Sequence, residues 1–412
     1  MVLPIFGQAL FFAIATAMGI WMTTYVKFQI LLHGHSILIP QNRTVPDEFY
    51  NEKYGNHSNV TIGNISFHYV TKGCDEDETR TMLLMLHGFL DFWFIWNRLI
   101  PELGKTFCVI APDLRGYGNT TRPDDTAEYL MRHLIGDVKG LVEHFNRGKK
   151  RDVVLVGHDW GGMISFCFAT MHEELVKRMI IINGMHPRAF MKQLFRSPRQ
   201  MRMSWYQLPF RRPVVPEQYL IMKDLAFLDK VHKGFTQKEK YAHKYVYSQP
   251  GALTGTINYY RAFNNDSSQL SKLPYRKINV STLILWGEQD EFIMTRVALY
   301  DQEWLKNSVA IYYEGAGHFP QRECPAHVTD RIRDFAINGK VSIAEESRPW
   351  WKWGRGWGRR NDPCRESRRP RGTRGQPTIG TWEELEVLPD TQLRCVNRSA
   401  SAMALRGLDP CA

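Results

Sequence analysis

The sequence predicts an α/β protein whose mostly parallel sheet carries helices on both faces. Three observations predict this class. Short apolar runs that are typical of buried strands recur along the chain, and apolar residues at helical spacing lie between two of them. Strands and helices that alternate in this way form parallel sheets with both faces covered. Residues 187–271 interrupt the pattern and lack such runs, which predicts a helical cap inserted into the sheet-forming chain.

The individual strands are predicted from alternation and from apolar runs. Ile65, Phe67 and Tyr69 alternate with polar or small neighbours, which is typical of a half-buried strand. Buried strands are predicted at 82–86, 107–111, 153–156, 179–182, 283–286 and 309–312. A helix is predicted between the second and third of these runs from apolar residues at helical spacing, namely Leu130, Leu134, Val138, Leu141, Val142 and Phe145.

The pattern divides the chain into five segments. We predict a membrane anchor at 1–27, the first part of the α/β core at 60–186, the helical cap at 187–271, the second part of the core at 272–340 and a disordered basic tail at 341–412. The tail prediction depends on a mixture of Trp, Gly and Arg that shows no periodicity.

The N-terminal segment carries no charged residue before Lys27. About 20 apolar residues suffice to cross the hydrocarbon core of a bilayer, so the segment is long enough for one span. A cleaved signal peptide is the alternative, because Ala13, Ala15 and Ala17 form patterns that resemble cleavage sites. The lack of Lys or Arg ahead of the apolar run favours an uncleaved anchor, and we expect a single-pass protein of the endoplasmic reticulum membrane.

The composition narrows the possible partners. A hydrophobic fraction of 43% allows a large core, and the net charge of +11 would suit an anionic partner. No nucleic-acid-binding motif occurs, so we expect no nucleic-acid partner.

The seven cysteines are scattered without C-x-x-C or metal-ligand spacing. Their odd number favours free thiols over a disulfide framework, and Cys108 and Cys167 are predicted to be small core residues.

The most informative motif is Gly-His-Asp-Trp-Gly-Gly at 157–162, between an apolar run and an apolar stretch of helical length. This order is typical of a nucleophile elbow, a strained turn that raises one side chain above the end of a sheet. Gly157 and Gly161 allow close packing, and the N–H groups of the helix favour an anion at Asp159. A carboxylate nucleophile forms an ester and suits attack on an sp³ carbon, as in an epoxide or an alkyl halide. The alternative is that Asp159 only caps a helix.

Two further candidates follow later strands. Asp290 follows the run at 283–286, and His318 follows the run at 309–312. Because open α/β sheets bind ligands at the carboxyl ends of their strands, these residues are expected to meet Asp159 there. Taken singly, an Asp after a strand is usually a turn residue and a His in a glycine-rich loop is usually solvated. The order nucleophile, acid, histidine is that of the α/β-hydrolase triad and predicts that the three act together.

A loop and two further motifs extend the constellation. His87-Gly88-Phe89 follows the strand predicted at 82–86, where this type of fold supplies one backbone N–H of an oxyanion hole. The residue after the nucleophile supplies the other N–H, so the expected donors are Phe89 and Trp160. Together with the Asp-Leu-Arg-Gly-Tyr-Gly motif at 113–118 and the elbow, this loop resembles the α/β-hydrolase-fold epoxide hydrolases.

The cap segment carries the same resemblance. The Asn-Tyr-Tyr-Arg motif at 258–261 is similar to the second lid-tyrosine motif of that family and implies a functional Tyr260. Ser-Trp-Tyr-Gln at 204–207 is similar to the first such segment and implies Tyr206. The motif at 248–255 and the N-terminal segment resemble the membrane-anchored epoxide hydrolase 4 branch. The resemblance covers about residues 64–338.

The resemblance implies hydrolysis of an epoxide to a vicinal diol in two steps. The tyrosines bind the epoxide oxygen and donate a proton while Asp159 attacks a ring carbon. His318, oriented by Asp290, then activates a water that hydrolyses the ester. No metal or organic cofactor is expected. The aromatic and Met-rich cap, together with the anchor, indicates an apolar, lipid-derived epoxide as substrate.

Two other functions remain open at this stage. A haloalkane or haloacid dehalogenase also uses an Asp nucleophile followed by Trp, although paired tyrosines suit an oxygen leaving group better than a halide. A catalytically weak binding protein, anchored to a membrane, is the second alternative. It is favoured by Leu90, because the resembled family has proline there and the Phe89 N–H is expected to be less well held without it.

Overall fold

The computed structural model describes residues 5–74, 78–149, 151–265, 273–341 and 364–367. Among these residues, nine strands form one sheet in the order β1-β2-β4-β3-β5-β6-β7-β8-β9. The strands are β1 (Asn56–Ile62), β2 (Ile65–Lys72), β3 (Met82–Leu86), β4 (Cys108–Pro112), β5 (Val153–His158), β6 (Arg178–Ile182), β7 (Ser281–Gly287), β8 (Ser308–Tyr313) and β9 (Glu366–Ser367).

The central strands are parallel, as predicted. Every pairing from β4 through β3, β5, β6 and β7 to β8 is parallel, whereas β1, β2 and β9 join the sheet antiparallel at its two edges. The register aligns the ends of the strands, with Leu86 opposite Gly157 and Gly287 opposite Tyr313. The loops that follow β3, β5, β7 and β8 therefore meet at one edge of the sheet.

Helices surround this sheet. Those described are α1 (Ile5–His33), α2 (Ile100–Leu103), α3 (Met131–Asn146), α4 (Trp160–Met171), α5 (Pro187–Arg196), α6 (Pro198–Met203), α7 (Val215–Val231), α8 (Gln237–Tyr247), α9 (Ala252–Asn265), α10 (Arg296–Asp301), α11 (Pro320–Glu323) and α12 (Pro325–Asn338). Helices α5 to α9 lie between β6 and β7, which confirms the inserted helical cap.

Each face of the sheet packs into its own hydrophobic cluster. Leu84 packs in the cluster that includes residues of α3 and α4, whereas its neighbours Leu83 and Met85 pack in the cluster that includes residues of α2 and α12. Successive side chains of a strand point to opposite faces, so an uninterrupted apolar run is what a strand covered on both faces requires. Complete burial of one such side chain stabilises the fold by roughly 1.5–3 kcal/mol.

Helix α1 begins in the segment predicted as a membrane anchor, but its second half packs against the cap. Met22 and Val26 are buried in one cluster with Met222 of α7, and the rings of Trp21 and Trp205 lie 5.7 Å apart. Among the described residues, no helix has both the length and the apolar composition that a membrane crossing requires. The predicted anchor at 1–27, and with it the predicted place in the endoplasmic reticulum membrane, is not supported.

Two disulfide bonds correct the prediction of free thiols. Cys74 is bonded to Cys108, which is therefore not a free core thiol, and Cys324 is bonded to Cys364. Cys167 takes part in no disulfide bond among the described residues and is buried, as predicted for a small core residue. Sequence spacing did not reveal the pairs, because their partners are 34 and 40 residues apart and meet only when the sheet forms.

The segment predicted to be disordered, 341–412, differs from that prediction where it is described. Residues 364–367 lie against the sheet, and β9 pairs antiparallel with β8. The carboxylate of Glu366 forms an ion pair with Arg331 of α12, with an N–O distance of 3.1 Å. The other residues of the segment beyond Val341 lie outside the described part of the chain.

Candidate active site

Asp159 occupies a strained turn between β5 and α4. Its backbone has φ 50° and ψ −114°, a conformation that L-residues rarely adopt and that persists only where the surroundings enforce it. The flanking glycines make the turn possible. A Cβ at Gly161 would lie 2.1 Å from the Leu86 carbonyl oxygen, and one at Gly157 would lie 2.5 Å from the Gly161 carbonyl oxygen. The elbow thus carries the Asp159 side chain above the carboxyl end of β5.

The three residues of the predicted triad lie together. His318 Nδ1 is 2.7 Å from Asp290 Oδ2, and His318 Nε2 is 3.6 Å from Asp159 Oδ2. Each follows the end of its strand, β8, β7 or β5, and all three are buried. The imidazole therefore bridges two carboxylates, and it can carry a proton between Asp159 and a molecule placed beside it.

The charges of the triad shift the pKa values of its members. Burial alone would lower the pKa of His318, but the Asp290 carboxylate, the hydrogen bond to it and the neighbouring Asp159 carboxylate raise it to about 10. Burial alone would raise the pKa of Asp159, but His318, whose Nε2 lies 3.6 Å from Asp159 Oδ2, lowers it. The resting site accordingly holds an ionised Asp159 carboxylate beside an imidazolium.

Three residues that were not among the predicted site residues hold Asp290 in place. Asn183, which follows β6, donates from Nδ2 to Asp290 Oδ2 at 2.7 Å. The other Asp290 oxygen accepts the backbone N–H groups of Phe292 and Ile293 at 2.7 and 2.9 Å. The rule that functional residues follow strands would have found Asn183, since it directly follows β6, just as Asp290 is the third residue after β7.

His158 supports the triad from the opposite side. Its Nε2 lies 2.9 Å from the backbone carbonyl oxygen of His318, which only accepts, so this nitrogen is the donor. Burial is the main reason why the pKa of His158 falls to about 4, and the ring is therefore neutral. This hydrogen bond fixes the loop that carries His318.

The loop after β3 brings Phe89 to the nucleophile. The Phe89 N–H donates to Asp159 Oδ1 at 2.9 Å, and Trp160 begins α4, where the first N–H groups of a helix have no partner within the helix. Leu90 is fully buried with φ 58°. Although this chain lacks the proline of the resembled family, the Phe89 N–H lies within hydrogen-bond distance of the carboxylate.

The two predicted tyrosines lie across a cavity from Asp159. Tyr206 and Tyr260 come from separate parts of the cap, yet their rings are 5.8 Å apart and their hydroxyl groups hydrogen-bond. Burial raises the pKa of both hydroxyls well above 10, so both remain protonated donors. The cavity is lined by Phe89, Leu90, Asp159, Tyr206, Phe227, Val231, Tyr260, Phe292, His318 and Phe319.

Comparisons with known proteins agree with this architecture. The family described as "alpha/beta hydrolase fold" matches residues 81–323. Epoxide hydrolase 4 of Homo sapiens is 35% identical over 295 residues, which are 68% of this chain and 79% of that protein. Epoxide hydrolase 2 of Caenorhabditis elegans is 32% identical over 293 residues, which are 69% of this chain and 80% of that protein.

Solved structures give the same result. A Bacillus megaterium epoxide hydrolase, solved in complex with an inhibitor, superposes with a TM-score of 0.61 at 26% identity. The match covers 68% of this chain and 100% of that one. With the elbow, the triad geometry and the inserted cap already described, this chain belongs to the α/β-hydrolase-fold family and, within it, to the epoxide hydrolases.

Proposed function

We propose that this epoxide hydrolase forms an ester between Asp159 and the opened epoxide and then hydrolyses it to a vicinal diol. The observation that carries the proposal is the position of Asp159. Its Oδ1 accepts the Phe89 N–H, its Oδ2 lies 3.6 Å from His318 Nε2, and Tyr206 and Tyr260 line the same cavity. One carboxylate thus has one oxygen held by a backbone donor and the other facing the reacting space.

In the first step, Asp159 Oδ2 attacks a ring carbon of the epoxide. The C–Oδ2 bond forms while the ring C–O bond breaks, and the negative charge moves to the former ring oxygen. Tyr206 and Tyr260 hydrogen-bond this oxygen, and one of them passes it a proton. Ionised Asp159 is ready for this step because the pKa of its carboxyl is lowered by His318.

In the second step, water adds to the ester carbon. Esterification removes the charge of Asp159, so His318 loses one of the groups that raise its pKa and gives its proton to the tyrosinate that the first step leaves. The imidazole is then neutral and can act as a base. His318 takes the proton of the attacking water, and negative charge develops on Oδ1, where the Phe89 and Trp160 N–H groups stabilise it. The Cγ–Oδ2 bond then breaks and His318 gives its proton to Oδ2 as the diol leaves. The Asp159 carboxyl, which holds the other hydrogen of the water, passes it to His318 and restores the resting pair.

The cavity wall supports an apolar substrate, such as a lipid-derived epoxide. Its ten described lining residues include no Lys or Arg, and six of them are Phe, Leu or Val. Each methylene that becomes buried is worth about 0.8 kcal/mol, or roughly fourfold in kcat/KM. We expect kcat/KM to rise by about this factor per methylene along a series of 1,2-epoxyalkanes until the cavity is filled, with glycidol as a poor substrate. A strong preference for glycidol would contradict the apolar assignment.

Oxygen labelling in a single turnover tests the ester directly. With enzyme in excess over a 1,2-epoxyalkane in H₂¹⁸O, the diol of the first turnover should contain no label, because its new oxygen comes from Asp159. The label should appear instead in the Asp159 carboxylate, which is detectable by peptide mass spectrometry. Labelled diol in the first turnover would show direct attack by water and refute the mechanism.

Two substitutions separate the steps. Asp159→Ala should form no diol, whereas His318→Gln should form the ester but hydrolyse it slowly, so that the intact protein gains the mass of one epoxide. His186→Gln is the matched control, because His186 is also buried but lies outside the cavity lining. It should show neither effect, and diol formation by folded Asp159→Ala would exclude Asp159 as the nucleophile.

The same assay distinguishes the dehalogenase alternative. A dehalogenase would release halide from a 1-haloalkane of matched chain length, whereas protonated tyrosines serve an oxygen leaving group. We expect diol formation from the epoxide and no measurable halide release from the haloalkane. Faster halide release than diol formation would reverse this assignment.

A further inference from the structure

A second group of ionisable side chains lies where the cap meets the core. Asp91 belongs to the loop after β3, His232 follows α7, and His243 lies in α8. All three are buried, with 0%, 0% and 1% of their surface exposed. One potential ligand atom from each residue can be chosen so that the three lie within 4.8 Å of one another. None of the three lines the active-site cavity.

The hydrogen-bond geometry of His243 indicates that this group needs a cation between His243 and Asp91. His243 Nδ1 is 2.7 Å from the Glu239 carbonyl oxygen, which only accepts, so this nitrogen carries the hydrogen. In a neutral ring, Nε2 then holds a lone pair, yet it lies 3.0 Å from Asp91 Oδ1. A lone pair and a carboxylate oxygen repel each other unless a proton or a metal cation lies between them.

Within the described part of the chain, the second oxygen of the Asp91 carboxylate also lacks a hydrogen-bond donor. His158 donates its Nε2 hydrogen to His318, so its Nδ1 presents a lone pair, and this nitrogen is 3.7 Å from Asp91 Oδ2. Asp91 Oδ2 accepts no hydrogen bond among the described residues. One proton on His243 would satisfy only one side of the carboxylate.

A second, independent observation concerns His232. Neither of its ring nitrogens has a hydrogen-bond partner among the described residues, although the residue is fully buried. A buried polar group without a partner costs roughly 1–3 kcal/mol. A ligand bound to one of these nitrogens would remove this cost for that nitrogen.

We propose that Asp91, His232 and His243 bind one divalent metal ion, with Zn²⁺ as the best fit. Two imidazole nitrogens and one carboxylate oxygen form a common zinc ligand set, with bonds of about 2.0–2.2 Å. Tetrahedral ligands at that distance are roughly 3.3 Å apart. Ligand atoms within 4.8 Å of one another therefore need only small side-chain movements to close around the ion.

The surrounding charges tolerate such an ion. One buried cation near the site is Arg322, which forms an ion pair with Glu239, and Glu239 also binds Arg98 at 3.0 Å. The ion would neutralise Asp91 and take the place of the proton between His243 and Asp91. It would also join the loop that carries Phe89 to two cap helices, and His232 directly follows Val231, which lines the cavity. We therefore assign the ion a role in holding the cap on the core rather than in the chemistry.

Metal titration of the full chain tests this site. Protein stripped with a chelator should bind one Zn²⁺ per chain by calorimetry and should melt at a higher temperature with Zn²⁺, but not with Mg²⁺. Co²⁺ at the same site should produce the visible absorption bands of a tetrahedral complex. Folded wild-type protein that binds no Zn²⁺ would refute the site and leave a proton on His243 as the missing charge.

Variants locate the ion. His232→Gln and Asp91→Asn should each weaken Zn²⁺ binding at least tenfold and abolish the Co²⁺ bands, whereas His186→Gln should bind like the wild type. Binding that survives both ligand substitutions would overturn the assignment, since the ion would then lie elsewhere. If a ligand variant fails to fold, the calorimetric stoichiometry and the Co²⁺ spectrum of the wild type still decide the question.

Discussion

His318 makes the stability of this protein depend on pH in a defined window. Its pKa is about 10 in the folded chain, against an ordinary value of 6.5. Because the folded state binds the proton more tightly, the stabilisation is complete below pH 6.5 and is lost as the pH rises towards 10. The melting temperature of His318→Gln should therefore lie well below that of the wild type at pH 6, and the difference should shrink by pH 10.

His186 supplies the control for this prediction. Burial lowers the pKa of His186 to about 3, below its ordinary value of 6.5. The folded state then favours the neutral ring, and the contribution changes only as the pH falls below 6.5. The difference between His186→Gln and the wild type should stay constant from pH 7 to pH 10. A constant difference for His318→Gln over the same range would contradict the assigned pKa.

The backbone conformation of Leu90 determines which substitutions this position tolerates. Its φ of 58° lies in the left-handed region, whereas proline fixes φ near −65°. Leu90→Pro should therefore lower the free energy of unfolding by more than about 1 kcal/mol and displace the adjacent Phe89 N–H. Leu90→Met keeps the volume and the backbone, and should cost less than about 1.5 kcal/mol. Denaturant unfolding of the pair, with kcat/KM for an epoxide, measures both effects.

An equal or higher stability and kcat/KM of Leu90→Pro would show that the loop has a backbone like that expected from the proline of the resembled family. That outcome would also show that a left-handed conformation at Leu90 does not destabilise this chain. The Leu90→Met result then separates the loss of side-chain contacts from the change in backbone.

At the scale of elements, the close packing of α4 against the end of β3 leaves no room for a side chain at Gly161. Gly161→Ala would place a methyl group 2.1 Å from the Leu86 carbonyl oxygen, so β3 or α4 must move. We expect a loss of at least about 3 kcal/mol or no folded protein, because the overlap is with backbone. Thermal unfolding and soluble yield measure the effect.

Gly136 is the matched control for Gly161. It lies on the exposed side of α3, where a Cβ would meet nothing within 4 Å. Gly136→Ala should raise the free energy of unfolding by roughly 0.5–1 kcal/mol, because alanine loses less backbone entropy in a helix. A tolerated Gly161→Ala would show that the elbow is less tightly packed than described.

The elements that the sequence predicted are those whose local pattern matches their final surroundings. The run at 82–86 is apolar because β3 is covered on both faces, and Asp290 was found because it follows such a strand. Patterns that depend on distant partners were missed. The apolar N-terminal segment indicated a membrane anchor, whereas the second half of α1 packs on α7. Asp91 and His243 are 152 residues apart, so no spacing could show that they meet.

At the scale of the whole molecule, two covalent links close large loops of the chain. The bonded cysteines are 34 and 40 residues apart, and a disulfide over such a loop typically stabilises a protein by about 2–4 kcal/mol. Reductant should lower the melting temperature of the wild type. Replacing Cys74 and Cys108 by Ser should lower it without reductant and leave a smaller response. Cys167→Ser should leave the response to reductant unchanged.

Mass spectrometry checks the same pairs directly. Peptides that contain Cys74 and Cys108 should be linked before reduction, as should those that contain Cys324 and Cys364. Alkylation of these four cysteines in the unreduced, denatured protein would contradict both bonds. Because disulfides persist in oxidising compartments, linked peptides would also indicate that the chain folds outside the reducing cytosol.

The bond between Cys324 and Cys364 has a consequence for behaviour in concentrated solution. It holds β9, which pairs with Tyr312 and Tyr313 and covers part of the outer edge of β8. An uncovered strand edge offers free N–H and C=O groups to a neighbouring molecule. Loss of this bond would thus uncover that part of the β8 edge and favour self-association as the protein concentration rises. Light scattering of the wild type and of a Cys324→Ser variant would register the change.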